Sequence, residues 1–246
     1  MRIIDMHAHT EVCEPLNWHD TAGKLIALMD EAGIEKAVVS GYMNLPGPDM
    51  GCMDKILEDA DAFGDRLMPF VRMDPWFGAE TVAQLEKYAK AGKVYGVKMH
   101  PAHYTLHPYG KLTVMLAEKA GALGLPMLFH CGDEMMCLPL QIGELVAQCP
   151  KTDFILAHMG GFAHLRDAIT VARRYANVYI DTSEIPLVRP IREIIDAIGP
   201  ERLLFGTDAP FCDPLVELEK VKLAGLSPRE FELVCCQNGL RLLRME

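Results

Sequence analysis

The sequence lacks an excess of basic residues, a long apolar run and a low-complexity linker. Its 24 Lys and Arg residues are outnumbered by 34 Asp and Glu residues, so the formal net charge is −10. Such a surface repels polyanions, and we expect neither nucleic acid nor an anionic membrane as a partner. No segment approaches the ~18 consecutive apolar residues of a transmembrane helix, and no apolar signal-peptide core follows the first residues. Together these absences predict a cytoplasmic protein.

Paired cysteine motifs are also missing. The eight cysteines stand at positions 13, 52, 131, 137, 149, 212, 235 and 236, with no CxxC spacing. Without a secretory context, this distribution predicts reduced packing residues and no disulfide framework. Cys131 and Cys212 stand beside candidate site residues, so a role in the site stays open for these two.

What the sequence does contain is an alternation of short apolar runs with longer amphipathic segments. The chain has 246 residues, half of them apolar, which is enough for one large core. Apolar runs that alternate with helical patterns are typical of parallel strands covered on both faces. They predict the α/β class, as a (β/α)₈ barrel (a TIM barrel) that forms a single domain over residues 1–246. The eight runs cover residues 3–6, 37–42, 67–71, 94–99, 126–129, 154–157, 178–180 and 202–205.

A final helical segment follows the eighth run. It covers residues 228–243, and we expect it to pack across the last barrel helix.

Polar residues stand where these predicted strands end. The set comprises His7, His9, His100, His130, His158 and Asp208. In a barrel of this kind, active sites are built at the carboxyl ends of the strands. An isolated strand histidine is more often a core or surface residue than a ligand, but burying the whole set without a cation would leave polar groups competing for partners. Imidazoles of His7, His9 and His130 with the carboxylate of Asp208 suit zinc or a similar metal.

Five motifs recur in the order in which a known family carries them. They are IDMHAH at 4–9, GVKMHP at 96–101, LFHCG at 128–132, LAHMGG at 156–161 and FGTDAP at 205–210. With these motifs the chain resembles the amidohydrolase superfamily, specifically its amidohydrolase-2 branch. The resemblance implies that His7, His9, His130 and Asp208 ligate a divalent metal, with zinc as the first choice and manganese as the second.

The resemblance leaves the number of ions open at one or two. In relatives with one metal, the histidine that corresponds to His158 orients or deprotonates the attacking water, whereas in relatives with two it ligates the second ion. Some binuclear relatives carry a carboxylated lysine on the fourth strand, where Lys98 stands. We prefer the alternatives in which Lys98 pairs with a carboxylate or binds an anionic substrate.

Further substrate-binding candidates stand at the ends of the third and fourth strands. His100 shares the face of Lys98 and serves either the substrate or the structure. Arg72 and Asp74 contact the substrate or pair with each other. The loops after the strands set specificity in this fold, so the sequence predicts a small-molecule substrate without naming it. A small homo-oligomer is the default expectation.

The expected reaction is hydrolysis of an amide, lactone or ester by metal-activated water. Asp208 would accept the proton of that water, and Asp208 or His158 would donate a proton to the leaving group. These two residues are therefore the predicted catalytic pair.

Three other functions stay open. Non-oxidative decarboxylases and lyases of the same branch use the same ligand set, although the chain is short for them. Phosphoesterases of the polymerase-and-histidinol-phosphatase type also begin with HxH, but no histidine follows Asp208 closely to complete their DxH motif. A barrel that binds metal or ligand without turnover would keep the same residues.

Overall fold

The computed structural model describes residues 2–14, 17–42 and 51–245, with the side chains of residues 51 and 52 left out. Its strands are β1 (Ile4–His9), β2 (Glu11–Cys13), β3 (Trp18–Asp20), β4 (Lys36–Ser40), β5 (Leu67–Arg72), β6 (Gly96–Met99), β7 (Met127–Phe129), β8 (Phe154–Leu156), β9 (Val178–Asp181) and β10 (Leu203–Leu204). β1 and β4 to β10 form one eight-stranded parallel sheet in chain order, and β2 pairs with β3 in a separate antiparallel hairpin.

Hydrogen bonds between the first and last strands close this sheet into a barrel. The backbone N–H of Met6 donates to the carbonyl of Phe205 at 2.8 Å, and that of His9 donates to Ala209 at 2.7 Å. The N–H of Asp208 donates to the carbonyl of His7 at 2.7 Å. The predicted (β/α)₈ barrel is confirmed, and each barrel strand overlaps one of the predicted apolar runs.

Helices connect the barrel strands and pack around them. They are α1 (Ala22–Ala32), α2 (Gly51–Ala62), α3 (Ala79–Lys90), α4 (Lys111–Ala122), α5 (Pro139–Gln148), α6 (Leu165–Arg174), α7 (Arg189–Ile198), α8 (Pro214–Leu223), α9 (Pro228–Glu232) and α10 (Asn238–Leu242). Local chemistry sets their limits. At the start of α1 the Thr21 hydroxyl accepts the N–H of Lys24, and at its end Gly33 takes a φ of 70°, which a residue without Cβ adopts most easily.

Apolar side chains form two clusters. The outer cluster fills the space between strands and helices, where Leu25, Leu85 and Leu116 lie among the side chains of Val71 and Val97. The inner cluster fills the lower half of the barrel, toward the amino ends of the strands. It consists of Ile4, Met6, Val38, Met68, Phe70, Leu128, Ile155, Ala157, Leu204, Cys236, Leu240 and Leu242.

The C-terminal helical segment closes the bottom of the barrel. A π-helical stretch (Leu233–Gln237) joins α9 to α10, and three side chains of this segment belong to the inner cluster. The backbone also approaches closely, since a Cβ at Gly239 would lie 2.7 Å from the sulfur of Met6. The expectation that this segment packs across the last barrel helix misses these contacts. The apolar face of the C-terminal segment covers the lower end of the barrel, where the side chains of the inner cluster would otherwise be exposed to water.

The sequence pattern does not predict the β2–β3 hairpin, because strands of three residues are too short for a periodic signal.

Two other expectations concern the cysteines and the hydropathy of the helices. The seven cysteines described there are all free. No helix within the described ranges has the length and hydropathy needed to cross a membrane.

Candidate metal centre

His7 lies at the centre of the polar group at the barrel mouth. Its Nδ1 lies 2.9 Å from Oδ2 of Asp181, and its Nε2 lies 2.6 Å from Nζ of Lys98 and 3.3 Å from Oδ1 of Asp208. Because the carboxylate of Asp181 accepts the Nδ1–H, the lone pair on Nε2 faces Lys98 and Asp208. The imidazole is therefore held in the tautomer that a metal ligand requires.

His9 shows the same arrangement. Its Nδ1 lies 3.1 Å from the carbonyl oxygen of Ser40, which accepts the N–H, and its Nε2 lies 3.0 Å from Oδ1 of Asp208. The Nε2 lone pair and the carboxylate are then two acceptors that face each other, and a cation between them turns this repulsion into attraction. The ligand atoms of His7, His158 and Asp208 also lie within 4.8 Å of one another. The donor set thus fits a divalent ion.

A β-bulge in β1 brings its two histidines to the barrel interior. Ile4 and Met6 also face the interior, so strict alternation would turn the histidines outward. The pairing of β1 with β4 shifts register between Asp5 and Ala8, and this irregularity resets which side chains point inward. The buried Asp5 carboxylate supports the bulge, because it accepts the N–H of the first histidine at 2.9 Å and that of Thr207 at 3.0 Å.

His158 and His130 extend the site toward the loop after β9. Nδ1 of His158 lies 2.9 Å from Oγ of Ser183 and 3.1 Å from Oε2 of Glu184. Its Nε2 lies 3.1 Å from Nδ1 of His130. A carboxylate acceptor at Nδ1 of His158 favours the tautomer in which Nε2 accepts the Nδ1–H of His130. The Nε2 atom of His130 then carries a free lone pair.

Three residues of the site have left-handed backbone conformations. The φ angles of His158, Glu184 and Asp208 are 57°, 68° and 62°. Such conformations cost on the order of 1–3 kcal/mol each in a residue other than glycine, and they collect at functional sites because the surrounding structure imposes them. The barrel mouth is therefore strained where its acidic and imidazole groups converge.

The polar group opens into a cavity of about 360 Å³. Two buried cations, Lys98 and Arg72, line it together with four of the predicted metal ligands, which are His9, His130, His158 and Asp208. Nη1 of Arg72 donates to the carbonyl of Tyr42, and Nη2 lies 3.1 Å from Nδ1 of His103. The buried Nε of Arg72 has no hydrogen-bond partner among the described residues. A buried guanidinium in this position suits an anionic ligand.

Of the two alternatives for Arg72 and Asp74, the structure does not show the one in which the two side chains pair with each other. The Asp74 carboxylate instead accepts the N–H of Trp76 at 2.9 Å, at the start of the short helical turn Pro75–Phe77. The hydrogen bond from the backbone satisfies the Asp74 carboxylate, so the guanidinium of Arg72 remains available to a ligand in the cavity.

Aromatic side chains form a wall on one side of the cavity. The ring of Tyr42 packs against Phe211 with centroids 4.5 Å apart. Trp18 from the hairpin stacks on Tyr42 at 5.3 Å and packs at a tilt of 47° against Phe211 at 4.7 Å. His9 lies beside this wall, 5.5 Å from Tyr42. Offset and edge contacts of this kind accept a further flat ring readily.

Burial keeps the imidazoles of the cavity neutral. It lowers the pKa of His158 to about 3 and that of His100 to about 2. Burial also lowers the pKa of Lys98 to about 8 and, with the negative charge of Asp208, raises the pKa of Glu184 to about 7.

The structure gathers the predicted site residues at the barrel mouth. His7, His9, His158 and Asp208 form one group, and His130 contacts this group through His158. The remaining predicted residues, Lys98, His100 and Arg72, line the same cavity. The assignment of individual ligand and catalytic roles to these residues stays a prediction.

Sequence reasoning missed the residues at the end of β9 and directly after it. Asp181 contacts His7, Ser183 contacts both His7 and His158, and Glu184 contacts His158. The predicted seventh strand ends directly before Asp181, so the strand-end rule applied to the other strands would have found this group. Glu134 was also missed. It lies in the loop after β7, away from a strand end, so the strand-end rule does not identify it.

Cys131 and Cys212, the two cysteines for which a role in the site was left open, have different surroundings. Cys131 is buried in the outer apolar cluster and is a packing residue. Cys212 lines the cavity, and burial raises the pKa of its thiol to about 12. Both thiols are therefore protonated and weak ligands near neutral pH.

The amidohydrolase-2 family model, described as amidohydrolase, matches residues 4–245. The chain belongs to this family. The resemblance inferred from the motifs is thereby confirmed. A curated relative, protein fluG of Emericella nidulans, is 30% identical over 113 residues. That alignment covers 41% of this chain and only 13% of the fungal protein, so it concerns a small part of that protein.

Solved structures similar to this chain share its fold across their length. A 5-carboxyvanillate decarboxylase from Sphingomonas paucimobilis has a TM-score of 0.80 at 14% identity, with 100% of this chain and 99% of that chain covered. A dihydroxybenzoic acid decarboxylase from Polaromonas sp. with bound manganese and the inhibitor 2-nitroresorcinol has a TM-score of 0.80 at 17% identity, with 99% and 97% covered.

A hydrolase is also among the similar structures. The probable 2-pyrone-4,6-dicarboxylic acid hydrolase from Acinetobacter baumannii, with citric acid bound, has a TM-score of 0.76 at 15% identity. The alignment covers 99% of this chain and 100% of that one.

The decarboxylases also bear on the length of this chain. The alignment covers 99% of the Sphingomonas decarboxylase, so the objection that this chain is too short for such relatives does not hold.

Proposed function

We propose that the chain is a metal-dependent enzyme that removes a carboxylate from a small organic acid as carbon dioxide. The observation that carries this proposal is the presence of two buried cations, Lys98 and Arg72, in the same cavity as His9 and Asp208. A cavity with that charge pattern matches an anion held against a metal centre. The decarboxylases of similar fold act on hydroxylated aromatic acids by their names, which agrees with such a ligand.

In this proposal, charged residues bind the carboxylate of the substrate and aromatic residues bind its ring. The guanidinium of Arg72 and the ammonium of Lys98 line the cavity and would donate to carboxylate oxygens. The rings of Tyr42 and Phe211, which Trp18 supports from behind, would hold a flat ring and exclude water from one side of it. A divalent ion held by His7, His9, Asp208 and either His130 or His158 would add a charge that withdraws electrons from the reacting group.

Decarboxylation breaks a carbon–carbon bond, leaves the electron pair on the substrate carbon and requires one proton at that carbon. Asp208 faces the cavity beside the predicted ligands, so it is our candidate for delivering this proton. His158, held by Ser183 and Glu184, is within the same group and is the candidate for replenishing it.

Hydrolysis of a lactone or ester of an organic acid is the second candidate. It is favoured by one specific observation, the position of the Asp208 carboxylate at the cavity beside the predicted ligands, where it could accept a proton from water. The same cations would then bind a carboxylate that stays on the substrate.

Isotope labelling separates the two reactions. Zinc- or manganese-loaded protein is incubated with hydroxybenzoic acids and with carboxylated lactones, in D₂O and in H₂¹⁸O, and the products are analysed by mass spectrometry. Decarboxylation places one deuterium on the product carbon, releases carbon dioxide and leaves the organic product free of ¹⁸O. Hydrolysis places one ¹⁸O in the new acid and releases no carbon dioxide. Tight binding of these acids without either product would contradict both candidates and favour a barrel without turnover.

A further inference from the structure

We propose that His103 determines the selectivity of the cavity for carboxylates, because it holds the guanidinium of Arg72 through an uncharged acceptor. Nη2 of Arg72 lies 3.1 Å from Nδ1 of His103 and donates to it. Arg72 lines the cavity, whereas His103 is not among the described residues that do, so His103 acts on a ligand through Arg72. The inference rests on the proposed function in so far as the cavity binds an organic acid, and it holds for either candidate reaction.

The described contacts of the Arg72 guanidinium are all with uncharged groups. Nη1 donates to the carbonyl of Tyr42, Nη2 donates to the imidazole of His103, and Cζ lies 5.4 Å from the ring centroid of Tyr104. Within residues 2–14, 17–42 and 51–245 the guanidinium forms no ion pair, and Asp74 caps the turn that begins at Pro75 instead. A buried cation in such surroundings is oriented but not neutralised, so its charge remains available to a ligand.

The hydrogen bond also fixes the state of the His103 imidazole. Because Nδ1 accepts from Arg72, it carries the lone pair, and the ring proton lies on Nε2. Burial and the positive charge of Arg72 lower the pKa of His103 to about 4, so the ring is uncharged near neutral pH. A carboxylate at this position would pair with the guanidinium and cancel its charge, which an imidazole does not do.

Contacts on several sides hold the His103 ring in place. It stacks on the ring of His100 with centroids 3.6 Å apart and planes within 6°, and it forms a T-shaped contact with the ring of Tyr42 at 6.2 Å. Its backbone is anchored too, since Nε1 of Trp76 donates to the carbonyl of the next residue, Tyr104, at 2.8 Å. The acceptor is thus positioned before a ligand arrives, which lowers the entropy cost of ordering Arg72 on binding.

This arrangement favours a ligand with a full negative charge over an uncharged ligand of the same shape. A guanidinium offers paired N–H donors that match the two oxygens of a carboxylate. The corresponding amide has one oxygen, no charge and N–H groups that would face the donors of Arg72. We therefore expect His103 to control how strongly the cavity discriminates between an acid and its amide.

Two variants of equal size separate the charge of the acceptor from its position. Zinc-loaded, full-length protein is titrated by calorimetry with 2-hydroxybenzoate and with 2-hydroxybenzamide, after the zinc content of each variant has been measured. His103→Asn keeps an uncharged oxygen acceptor, and the Kd for the acid should stay within about threefold of the wild-type value. His103→Asp places a carboxylate beside Arg72, and this Kd should rise at least about tenfold. The Kd for the amide should differ little between the two variants.

Further variants show whether His103 acts through Arg72. His103→Ala removes the acceptor and should weaken binding of the acid about threefold to tenfold. In an Arg72→Gln background the same substitution should have no further effect, because the group that it positions is gone. His107→Asp adds a carboxylate at an exposed site of the same loop and should leave the Kd within about twofold. Circular dichroism checks the fold of each variant, and His103→Asn still tests the proposal where His103→Asp fails to fold.

Three results would overturn the inference. One is an equal Kd for the acid in His103→Asn and His103→Asp while Arg72→Gln binds weakly, which would leave the proposed function intact. Another is equal weakening by His103→Asp and His107→Asp, which would indicate a general effect of charge. The third is a wild type that does not bind the acid, which would also count against the proposed function. The expected pattern of Kd values, together with neither product in the isotope experiment, would support the inference and contradict the proposed function alone.

Discussion

The two ends of the barrel interior are built from opposite kinds of side chain. The lower end is filled by apolar residues, among them Met68 and Phe70, and is closed by the C-terminal segment through Leu240. The upper end holds buried His7, Lys98, Asp208 and their partners within a few ångströms. Both ends are well buried, but they differ in what burial does to the free energy of folding.

Apolar burial at the lower end stabilises the fold, at roughly 25 cal/mol for each Å² removed from water. Burial of charged and imidazole groups at the upper end costs free energy unless each group is paired. The upper end also holds left-handed His158 and Asp208, whereas the residues of the inner cluster lie in regular strands and helices. We infer that the lower end stabilises the fold and that the upper end binds and converts the substrate. The following predictions test this division.

The largest effect is expected for Asp208→Asn. Asparagine tolerates the left-handed φ of 62° at this position, so the fold should persist. Loss of the carboxylate removes the proton carrier, and kcat on any substrate identified should fall by about 10²- to 10⁴-fold with metal in excess. Steady-state kinetics and circular dichroism measure the two quantities. Asp196→Asn, at an exposed position on α7, is the control. Turnover close to that of the wild type would remove Asp208 from the reaction.

At the lower end, Phe70→Ala should act on stability instead. The ring is fully buried in the inner cluster, so its removal leaves a cavity and should lower the free energy of unfolding by about 3–5 kcal/mol. Urea denaturation gives this value, and zinc content per folded molecule should stay as in the wild type. Phe63→Ala, whose ring is 36% exposed, should change stability far less. A folded Phe70→Ala protein that has lost its zinc would show that the two ends are not separable.

A smaller effect is expected where the lower end is overpacked. A Cβ at Gly96 would lie 2.4 Å from Cζ of Phe70, in a cluster with no room for the ring to move. Gly96→Ala should therefore lower the free energy of unfolding by about 1–3 kcal/mol. In the double variant with Phe70→Leu the two costs should not add, because the smaller side chain makes room for the methyl group. Gly23→Ala, where the nearest atom is 3.9 Å away, should be neutral or slightly stabilising.

The smallest effect concerns the support of the upper end from outside the barrel. Lys220 on α8 donates to the carbonyls of Thr182 and Ile185, which flank Ser183 and Glu184, and it pairs with Glu217 at 2.5 Å. Burial raises the pKa of Glu217 to about 7, although Lys220 opposes this shift. Between its ordinary pKa and pH 7 the folded state holds a proton that the unfolded state has released, so this group lowers stability as the pH rises.

Glu217→Gln should remove that contribution. The difference in unfolding free energy between wild type and variant should change by at most about 1.4 kcal/mol per pH unit, between pH 4.5 and 7, in favour of the variant at higher pH. Urea unfolding across this range gives the slope. Glu219→Gln, an exposed neighbour on α8, controls for surface charge. Parallel pH profiles for wild type and Glu217→Gln would mean that the pKa of Glu217 is the same in the folded and unfolded states.

The sequence alone determines the barrel and most of its mouth. Parallel strands covered on both faces must be apolar throughout, so the strands stand out as runs such as 67–71 and 178–180. Their carboxyl ends meet at one rim, so His7, His130 and Asp208 could be placed near one another before any coordinates. The hairpin β2–β3 and the role of the C-terminal segment escape this reasoning, because short strands and end caps have no periodic signature.

Only the tertiary structure decides how the side chains pair. The bulge in β1 is supported by hydrogen bonds that the Asp5 carboxylate accepts from Thr207, which is 202 positions away. Whether His130 faces His158 or Glu134 follows from ring orientations and tautomers that neighbouring strands impose. Local sequence fixes which residues reach the rim, because strand periodicity is a local property. The partner of each residue there is set by contacts across the barrel, which no local pattern records.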